Sequence, residues 1–273
     1  MDPLLVLVSL AAAFAGTHVG LATTPIRARL VARLGEAGFR ALFFVVAASS
    51  FTALVVYYAD HRTLSGAGPA LGAVPVLGLV LRAAVVGGFA LMLGSLAAYP
   101  GSPYDLNTAR PARAPRGLEQ VTRHPFFAGL TVFAAAHALL APTRMGSVLM
   151  AALAALSIVG ARHQDSKLLR LRGPAFAEWL ARTSAMPFAA ILAGRARLVW
   201  HELPGGALAA GALLAVLLRQ VHGEIFAHHG AWVVLAVVGG ALTIGVAGAF
   251  RVHHERTARA ARRVGTMSPE TRG

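Results

Sequence analysis

Residues 121–140 read VTRHPFFAGLTVFAAAHALL, and this stretch decides what kind of fold the chain can have. From Pro125 onward it is almost entirely apolar, as a membrane-crossing helix must be. It nevertheless carries His124 at its start and His137 among alanines and leucines. An ionisable side chain inside a bilayer costs free energy, so it indicates either a functional site or a hydrogen-bonded partner on a neighbouring helix.

The composition of the whole chain is that of a membrane protein. Of its 273 residues, 56% are hydrophobic and only 13% are charged. Water-soluble domains carry about a quarter charged residues. The chain has no cysteine, which excludes disulfides, iron–sulfur clusters, thiolate catalysis and zinc–cysteine sites. Histidine, with eleven copies, is the soft metal ligand that remains in quantity.

Seven apolar runs predict an all-α fold, a polytopic transmembrane helical bundle. A spanning helix needs about 20 mostly apolar residues. Such runs occur at residues 3–22, 39–59, 83–99, 125–141, 146–161, 205–220 and 231–250. The fifth and sixth are short enough to require tilt or local thinning of the bilayer. Residues 60–82 are interrupted by Gly and Pro, which predicts an external loop or a re-entrant piece there.

Basic residues fall in every second loop of this arrangement. Of the 25 Lys and Arg residues, 21 lie in segments 23–40, 100–124, 162–204 and from Arg251 onward. The positive-inside rule therefore predicts an outside N-terminus and a cytoplasmic C-terminus. The net charge of +14 would suggest nucleic acid in a soluble protein. Because these arginines are distributed over loops instead of gathered on one surface, we expect membrane lipid and no nucleic acid as partner.

The first apolar run has no basic start and no cleavage site of the secretory type, so we expect it to be retained as a helix. Residues 168–195 differ from the spans, because they mix arginines with Leu, Phe and Trp and are broken at Pro174 and Pro187. This pattern predicts an amphipathic helix followed by a turn that dips into the inner interface. An ordinary surface helix fits almost equally well. No helix of spanning length is expected at 183–195.

The histidines divide into two groups. Those in predicted loops or at helix ends need no special account as solvated imidazoles: His61, His201, His222, His228, His229, His253 and His254. His18, His124 and His137 lie in or against apolar spans, and His163 lies just past the fifth. These four are candidates for a site or for hydrogen bonds between helices.

Depth limits which of these histidines can share a metal. His18 and His124 both belong to the inner leaflet of the predicted topology. His137 lies about 20 Å further along the helix of His124, with an angular offset of about 140°. A bis-imidazole pair must therefore join two helices. Arg123 is placed to meet an anion such as a haem propionate or a lipid phosphate.

Several of these elements resemble the NnrU family of multi-helix membrane proteins, to which the 15-cis-zeta-carotene isomerases of plants and cyanobacteria are related. The matching pieces are GTHVGLATTPIRARLVARLGEAGFRALFF around His18, TRHP and AAAHALL at 122–140, and VGARHQDSKLLRLRG with TSAMPFAAILAGR at 159–195. The resemblance covers roughly residues 1–200. It suggests an NnrU-like transmembrane domain at 1–204, followed by additional helices and a basic cytoplasmic tail at 205–273.

The resemblance implies a multi-pass protein of the bacterial inner membrane. It implies either a role in nitrogen-oxide metabolism during denitrification or haem-dependent cis-trans isomerisation of a polyene. It further implies haem b, with axial ligands at His18 and His137. A structural or transport bundle without cofactor, whose histidines only tie helices together, is the alternative.

Two features of the sequence bear on that implied haem. At the predicted depths, His18 pairs with His124 instead of His137; a tilted or broken first helix around Gly16 and Gly20 would bring His18 and His137 to one site. Ala134 stands where the isomerase has a cysteine proposed to exchange with histidine as a ligand. The resemblance therefore does not extend to a thiolate ligand.

Overall fold

The chain folds into helices. The computed structural model describes residues 1–98 and 114–246. The α-helices in those residues are α1 (Pro3–Ala22), α2 (Thr24–His61), α3 (Pro75–Ala98), α4 (Leu118–Val121), α5 (Pro125–Leu140), α6 (Arg144–Arg172), α7 (Pro174–Arg182), α8 (Ala189–Leu192), α9 (Gly205–Gln220) and α10 (Ala227–Val234). In the same residues, extended pairing is limited to one antiparallel bridge between Ala67 and Thr143. The all-α prediction is confirmed.

Five helical segments are long and apolar enough to cross a membrane. They are Pro3–Ala22, Thr24–His61, Pro75–Leu96, Arg144–Arg172 and Ala227–Val246, the last running from α10 through a π-helical segment, Leu235–Gly239. Helices α5 and α9 are apolar but have only 16 residues each. Each of the seven predicted runs thus coincides with a helix, and five of the helices reach spanning length in the part of the chain described.

The predicted length of the fifth run was wrong, whereas that of the fourth agrees to within one residue. The fifth run was expected to be short, but α6 has 29 residues, because its apolar part continues into the amphipathic sequence RHQDSKLLRLR. The fourth run was predicted at 125–141, and α5 ends at Leu140, before Pro142. A proline is poorly tolerated inside a helix because it lacks a donor and its ring clashes with the preceding turn.

The first helix is continuous. Asp2 caps it by accepting a hydrogen bond from the amide of Leu4 (2.8 Å), and Pro3 occupies the first turn, where its missing N–H costs nothing. Helix α1 then runs through Gly16 and Gly20 to Ala22 without a non-helical residue. The break considered near those glycines is therefore not present.

The segment 60–82 was predicted to be loop or re-entrant, and the structure divides it. Residues 62–74 form a connection with one short 3₁₀ turn, as expected, whereas residues from Pro75 onward already belong to α3. Pro75 suits the first turn of a helix. Arg82 lies within α3, and its guanidinium donates to the carbonyl of Gly72 (3.3 Å).

Close helix packing occurs at small residues. A Cβ on Gly88 of α3 would lie 2.6 Å from the amide nitrogen of Phe133 on α5. A Cβ on Gly129 of α5 would likewise lie 2.6 Å from the carbonyl oxygen of Gly88. On the other side of the molecule, α1, α2 and α6 share an apolar core that includes Leu7 and Leu54. A cavity lies between these two packed groups of helices.

The loops define two ends of the bundle. At the end that we call the basic end, the amide of Phe188 donates to Val121 (2.8 Å), which joins the segments 121–124 and 183–195. At the opposite end, the amide of Gly68 donates to Pro142 (2.9 Å), which joins the connections 62–74 and 141–143. Residues 183–195 contain only the four-residue helix α8, which confirms that no spanning helix forms there.

Candidate functional site

A cavity of about 2410 Å³ lies between the two packed groups of helices. Sites for drug-sized ligands have volumes of about 300–1,000 Å³, so this cavity has room for a considerably longer molecule. Ten of the thirteen phenylalanines of the chain line it: Phe14, Phe39, Phe43, Phe44, Phe51, Phe89, Phe126, Phe127, Phe133 and Phe226. The central part of the cavity is therefore apolar and aromatic.

The cavity is charged at the basic end. Arg27, Glu36, Arg40 and Lys167 all line it there, together with His163. The Arg27 guanidinium lies 2.7 Å from the Glu36 carboxylate, and Arg40 approaches the same carboxylate at 3.6 Å. The Glu36 carboxylate thus forms ion pairs with two arginines.

The opposite end of the cavity is also polar. Arg62, Arg82, Arg219, His222 and Glu224 line it. Arg82 is held by a backbone carbonyl, and the guanidinium of Arg62 lies 5.8 Å from the centre of a phenylalanine ring, a cation–π contact. An apolar ligand could therefore extend between two polar mouths.

His18 faces this cavity from α1. Its ring packs against Phe14 and Phe43, with ring centres 5.4 and 5.1 Å away. Within residues 1–98 and 114–246, its Nδ1 atom is buried and has no hydrogen-bond partner. A buried polar atom without a partner costs free energy, so its presence needs an explanation, and a bound group is one.

His137 lines the same cavity from α5. Its Nδ1 atom lies 3.0 Å from the carbonyl oxygen of Phe133. A carbonyl can only accept, so Nδ1 carries the proton and Nε2 keeps a lone pair for a ligand. The ring of His222 lies nearby, with its centre 6.2 Å from that of His137.

His124 and Arg123 do not line the cavity. The Nε2 atom of His124 lies 2.7 Å from one oxygen of Asp165, and Arg123 binds the other oxygen through Nε (2.9 Å) and Nη2 (2.8 Å). His124 is 8% exposed and the side chains of Arg123 and Asp165 are less than a fifth exposed. The anion beside Arg123 is thus a carboxylate of this chain, and the expected contact with a haem propionate or lipid phosphate stays a prediction.

A loop completes this buried cluster. The amide of Arg123 donates to Ser184 (2.8 Å), and the hydroxyl of Thr122 donates to Ala185 (2.8 Å). Thr122 and Thr183 are almost fully buried. The residues of TRHP and the loop before Pro187 therefore form one polar unit whose hydrogen bonds are satisfied internally.

Hydrogen bonds to α6 give the depth of each cavity histidine. His163 of α6 contacts the carbonyl oxygen of Ala22 at the end of α1 (3.3 Å). His18 lies one turn before Ala22, and α1 runs parallel to α6, so its depth is near that of Val159.

His137 lies at a different depth. The carbonyl of Ala138, the next residue, accepts a hydrogen bond from Ser147 of α6 (2.9 Å). Levels near residues 147 and 159 of one helix differ by roughly 18 Å. Two axial imidazoles of one haem contact opposite sides of the same iron, so His18 and His137 do not fit as a pair in this arrangement, although either fits as a single ligand.

Other metal arrangements are not evident. Among the residues that the structure describes, no group of three or more His, Asp or Glu side chains is close enough to hold a metal ion. His124, which shares the inner depth of His18, has its Nε2 atom bound to Asp165.

Several cavity residues were missed from the sequence, and His222 and Lys167 are two of them. His222 was set aside as a solvated histidine of a helix end, and it is exposed, but it also lines the cavity beside His137. Lys167 was counted only as a topological charge. Lys167 lies two turns beyond Gly160, on the same cavity side of α6. This spacing is the one feature of the sequence that could have placed Lys167 at the cavity, and hydropathy does not reveal which side of α6 faces it.

Comparison with known proteins identifies a family that matches most of this chain. The sequence model described as "NnrU protein" matches residues 6–253. This chain belongs to the NnrU family. The match runs through α9 and α10 as well as the earlier helices, so it includes much of the segment 205–273 that the sequence analysis treated as additional.

Two plant proteins are more distant relatives of this NnrU protein. The chloroplastic 15-cis-zeta-carotene isomerase of Arabidopsis thaliana is 30% identical over 189 residues, which are 67% of this chain and 49% of the isomerase. The enzyme of the same name from Zea mays is 28% identical over 192 residues, or 68% of this chain and 50% of the plant protein. The chain thus spans about half the length of these relatives. No solved structure matches.

Proposed function

We propose that this NnrU protein binds a long apolar molecule of the polyene class in the cavity between its helices. The observation that carries the proposal is the cavity itself, about 2410 Å³ and lined by ten phenylalanines. Aromatic side chains offer large, rigid apolar surfaces to a conjugated chain. The names of the two plant relatives, which act on a carotene, support the same ligand class.

Filling the cavity should prevent this binding. Ala48 of α2 lines the cavity, whereas Ala41 of the same helix is exposed and does not. We expect detergent-purified wild type and Ala41→Trp to retain 15-cis-zeta-carotene through size-exclusion chromatography, and Ala48→Trp to lose most of it. Visible absorption of the protein peak measures retention, and chromatography of the extracted pigment measures isomerisation. Equal retention by both variants would contradict the proposal.

A second component of the proposal is haem b, held through a single imidazole. The buried Nδ1 atom of His18, which has no partner in the described residues, supports His18 as the ligand. Haem would supply redox-active iron next to the apolar cavity. His137 and His124 are the other candidates from the sequence.

Absorption spectra of purified variants test this component. We expect His18→Ala to abolish or shift the Soret band, while His124→Ala keeps it because that imidazole is bound to Asp165. His137→Ala distinguishes a haem bound by His18 alone from one bound by both histidines. The spectrum of a haem with both ligands would change in this variant, whereas that of a haem bound by His18 alone would not. An unchanged spectrum of His18→Ala would exclude His18 as the ligand, and a wild type without a Soret band would remove haem from the proposal.

The proposal also includes the finer topology. The protein has seven spans in a bacterial inner membrane, with the N-terminus outside and the C-terminus in the cytoplasm. The short helices α5 and α9 cross where the bilayer is locally thin. A role in nitrogen-oxide metabolism follows from the family resemblance alone. A cofactor-free structural or transport bundle remains the competing function, and the Ala48 and His18 experiments distinguish it.

A further inference from the structure

The basic end of the cavity carries more positive than negative charge. Lys167 is half-buried and lines the cavity. Its ammonium has no hydrogen-bond or ion-pair partner within residues 1–98 and 114–246. Glu36, the acidic side chain that lines this end, is already shared by Arg27 and Arg40. The three cations therefore exceed the single carboxylate by two charges.

A half-buried cation without a counter-charge is unfavourable. It has lost part of its hydration, and the carboxylate of Glu36, which acts on it at longer range, is already bound by two arginines. The neighbouring carboxylate of Asp165 cannot serve it, because His124 and Arg123 already bind both of its oxygens. A bound anion is one source of the partner that Lys167 lacks among the described residues.

The apolar part of the cavity begins directly beside these cations. Phe39 and Phe43 line it near the basic end, and Phe133 and His137 line it toward the opposite end. From the level of Lys167 to that of His137, the helical rise of α6 gives roughly 30 Å. This length is close to the hydrocarbon thickness of a bilayer, about 30 Å, so a long single chain can lie along it.

We propose that the cavity binds a single-chain amphiphile with an anionic head group, a carboxylate or a phosphate, whose head contacts Lys167 and Arg40. The chain of this ligand lies among the phenylalanines. The inference rests on the proposed function and adds a head group to its ligand. A hydrocarbon such as a carotene occupies only the apolar part of the cavity, whereas an anionic head also supplies Lys167 with a charge-assisted hydrogen bond.

The test compares two probes that differ only in charge. cis-Parinaric acid is a fluorescent polyene with a carboxylate, and its methyl ester has the same chain without the charge. Fluorescence titration of the full-length protein in a non-ionic detergent should show the acid binding about tenfold tighter than the ester, as one charge-assisted hydrogen bond predicts. Lys167→Gln should remove this preference and leave binding of the ester unchanged, which also shows that the variant is folded.

Two control variants make the result specific. Lys167→Arg keeps the charge and should retain the preference for the acid. Arg82→Gln removes a cation from the opposite end and should also retain it. If the acid and the ester bind equally to wild type, or if Lys167→Gln and Arg82→Gln weaken acid binding alike, the inference is overturned while the cavity remains a binding site. If neither probe binds, the proposed function itself fails.

Competition identifies the source of the anion. Oleate and a single-chain lysophosphatidic acid are each titrated against bound cis-parinaric acid. Displacement by oleate alone assigns a free fatty acid, and displacement by the phosphate alone assigns a phospholipid-type head group; either supports the inference. Displacement by neither overturns it.

Discussion

Asp165 organises the basic end of the bundle. Its two oxygens accept hydrogen bonds from His124 and Arg123, which precede α5, while Asp165 itself belongs to α6. The side chain is 17% exposed, so the carboxylate is mostly removed from water and depends on these partners. Removing its charge would leave the Arg123 guanidinium buried without a counter-ion.

The substitution Asp165→Asn should therefore destabilise the protein. Breaking a buried ion pair from one side costs about 3–5 kcal/mol, so we expect a clear decrease in the midpoint of thermal unfolding. Asp60→Asn is the matched control, because Asp60 also pairs with a histidine, His229, but both side chains are more than a third exposed. That change should stay within about 1 kcal/mol. Equal midpoints for the two variants would show that the Asp165 cluster does not hold the helices together.

Single residues differ in how far the sequence reveals them. His18 and His137 are conspicuous because imidazoles are rare in apolar runs, and both line the cavity. The partner of Arg123 could not be predicted, because Asp165 lies 42 residues further along the chain and meets it only when α5 packs against α6. The sequence indicates an anion beside Arg123 but not that Asp165 supplies one, and the expected contact with a haem propionate or a lipid phosphate stays a prediction.

At the scale of elements, helix pairing depends on glycine. Gly88 lies where α3 and α5 have no room for a side chain, whereas a Cβ at the adjacent Gly87 would meet nothing within 4 Å. Small residues at helix contacts let backbones approach closely in membrane proteins. Alanine substitutions at these two neighbouring glycines therefore distinguish the effect of helix packing on stability from the effect of helix propensity.

The substitution Gly88→Ala should force α3 and α5 apart. We expect it to lower stability by about 1–3 kcal/mol, the usual cost of overpacking. Gly87→Ala should be neutral or stabilising, because alanine favours a helix by about 1 kcal/mol over glycine. Thermal unfolding followed by circular dichroism in detergent compares the two. A larger loss at position 87 than at 88 would be incompatible with the packing described for these helices.

Helices were predictable where hydropathy determines them, and their ends were not. The seven apolar runs all became helices, because a spanning segment must satisfy its own backbone hydrogen bonds. The start of α3 at Pro75 and the length of α6 depend instead on local features, namely a helix-initiating proline and an amphipathic extension. The loop at 183–188 was predicted as a break, but its hydrogen bonds to residues 121–123 involve backbone groups that carry no sequence signal.

At the scale of the whole molecule, the cavity and the charge distribution belong together. Two packed groups of helices leave an aromatic space between them, and cations stand at both of its mouths. Composition alone identified a membrane protein, but it could not reveal that ten phenylalanines from different helices converge. Within α2, Phe39, Phe43 and Phe51 recur at helical spacing, but this spacing does not reveal which other helices turn phenylalanines toward the same space.

The orientation of the helical bundle in the membrane can be measured directly. With 21 of 25 basic residues on one side of the predicted topology, a reporter fused after Arg263, a position outside the described residues, should be cytoplasmic, and one inserted near Ser65 should be external. Because the chain has no cysteine, single cysteines provide a cleaner measurement.

Gly66→Cys and Met186→Cys place one thiol at each end of the bundle, both at exposed positions. In intact cells, a membrane-impermeant maleimide should label Gly66→Cys and spare Met186→Cys until the membrane is permeabilised. The physical reason is that the arginines flanking 183–195 are retained on the cytoplasmic side during insertion. Labelling of Met186→Cys alone would reverse the orientation, and equal labelling of both in intact cells would mean that the two ends do not lie on opposite sides of a membrane.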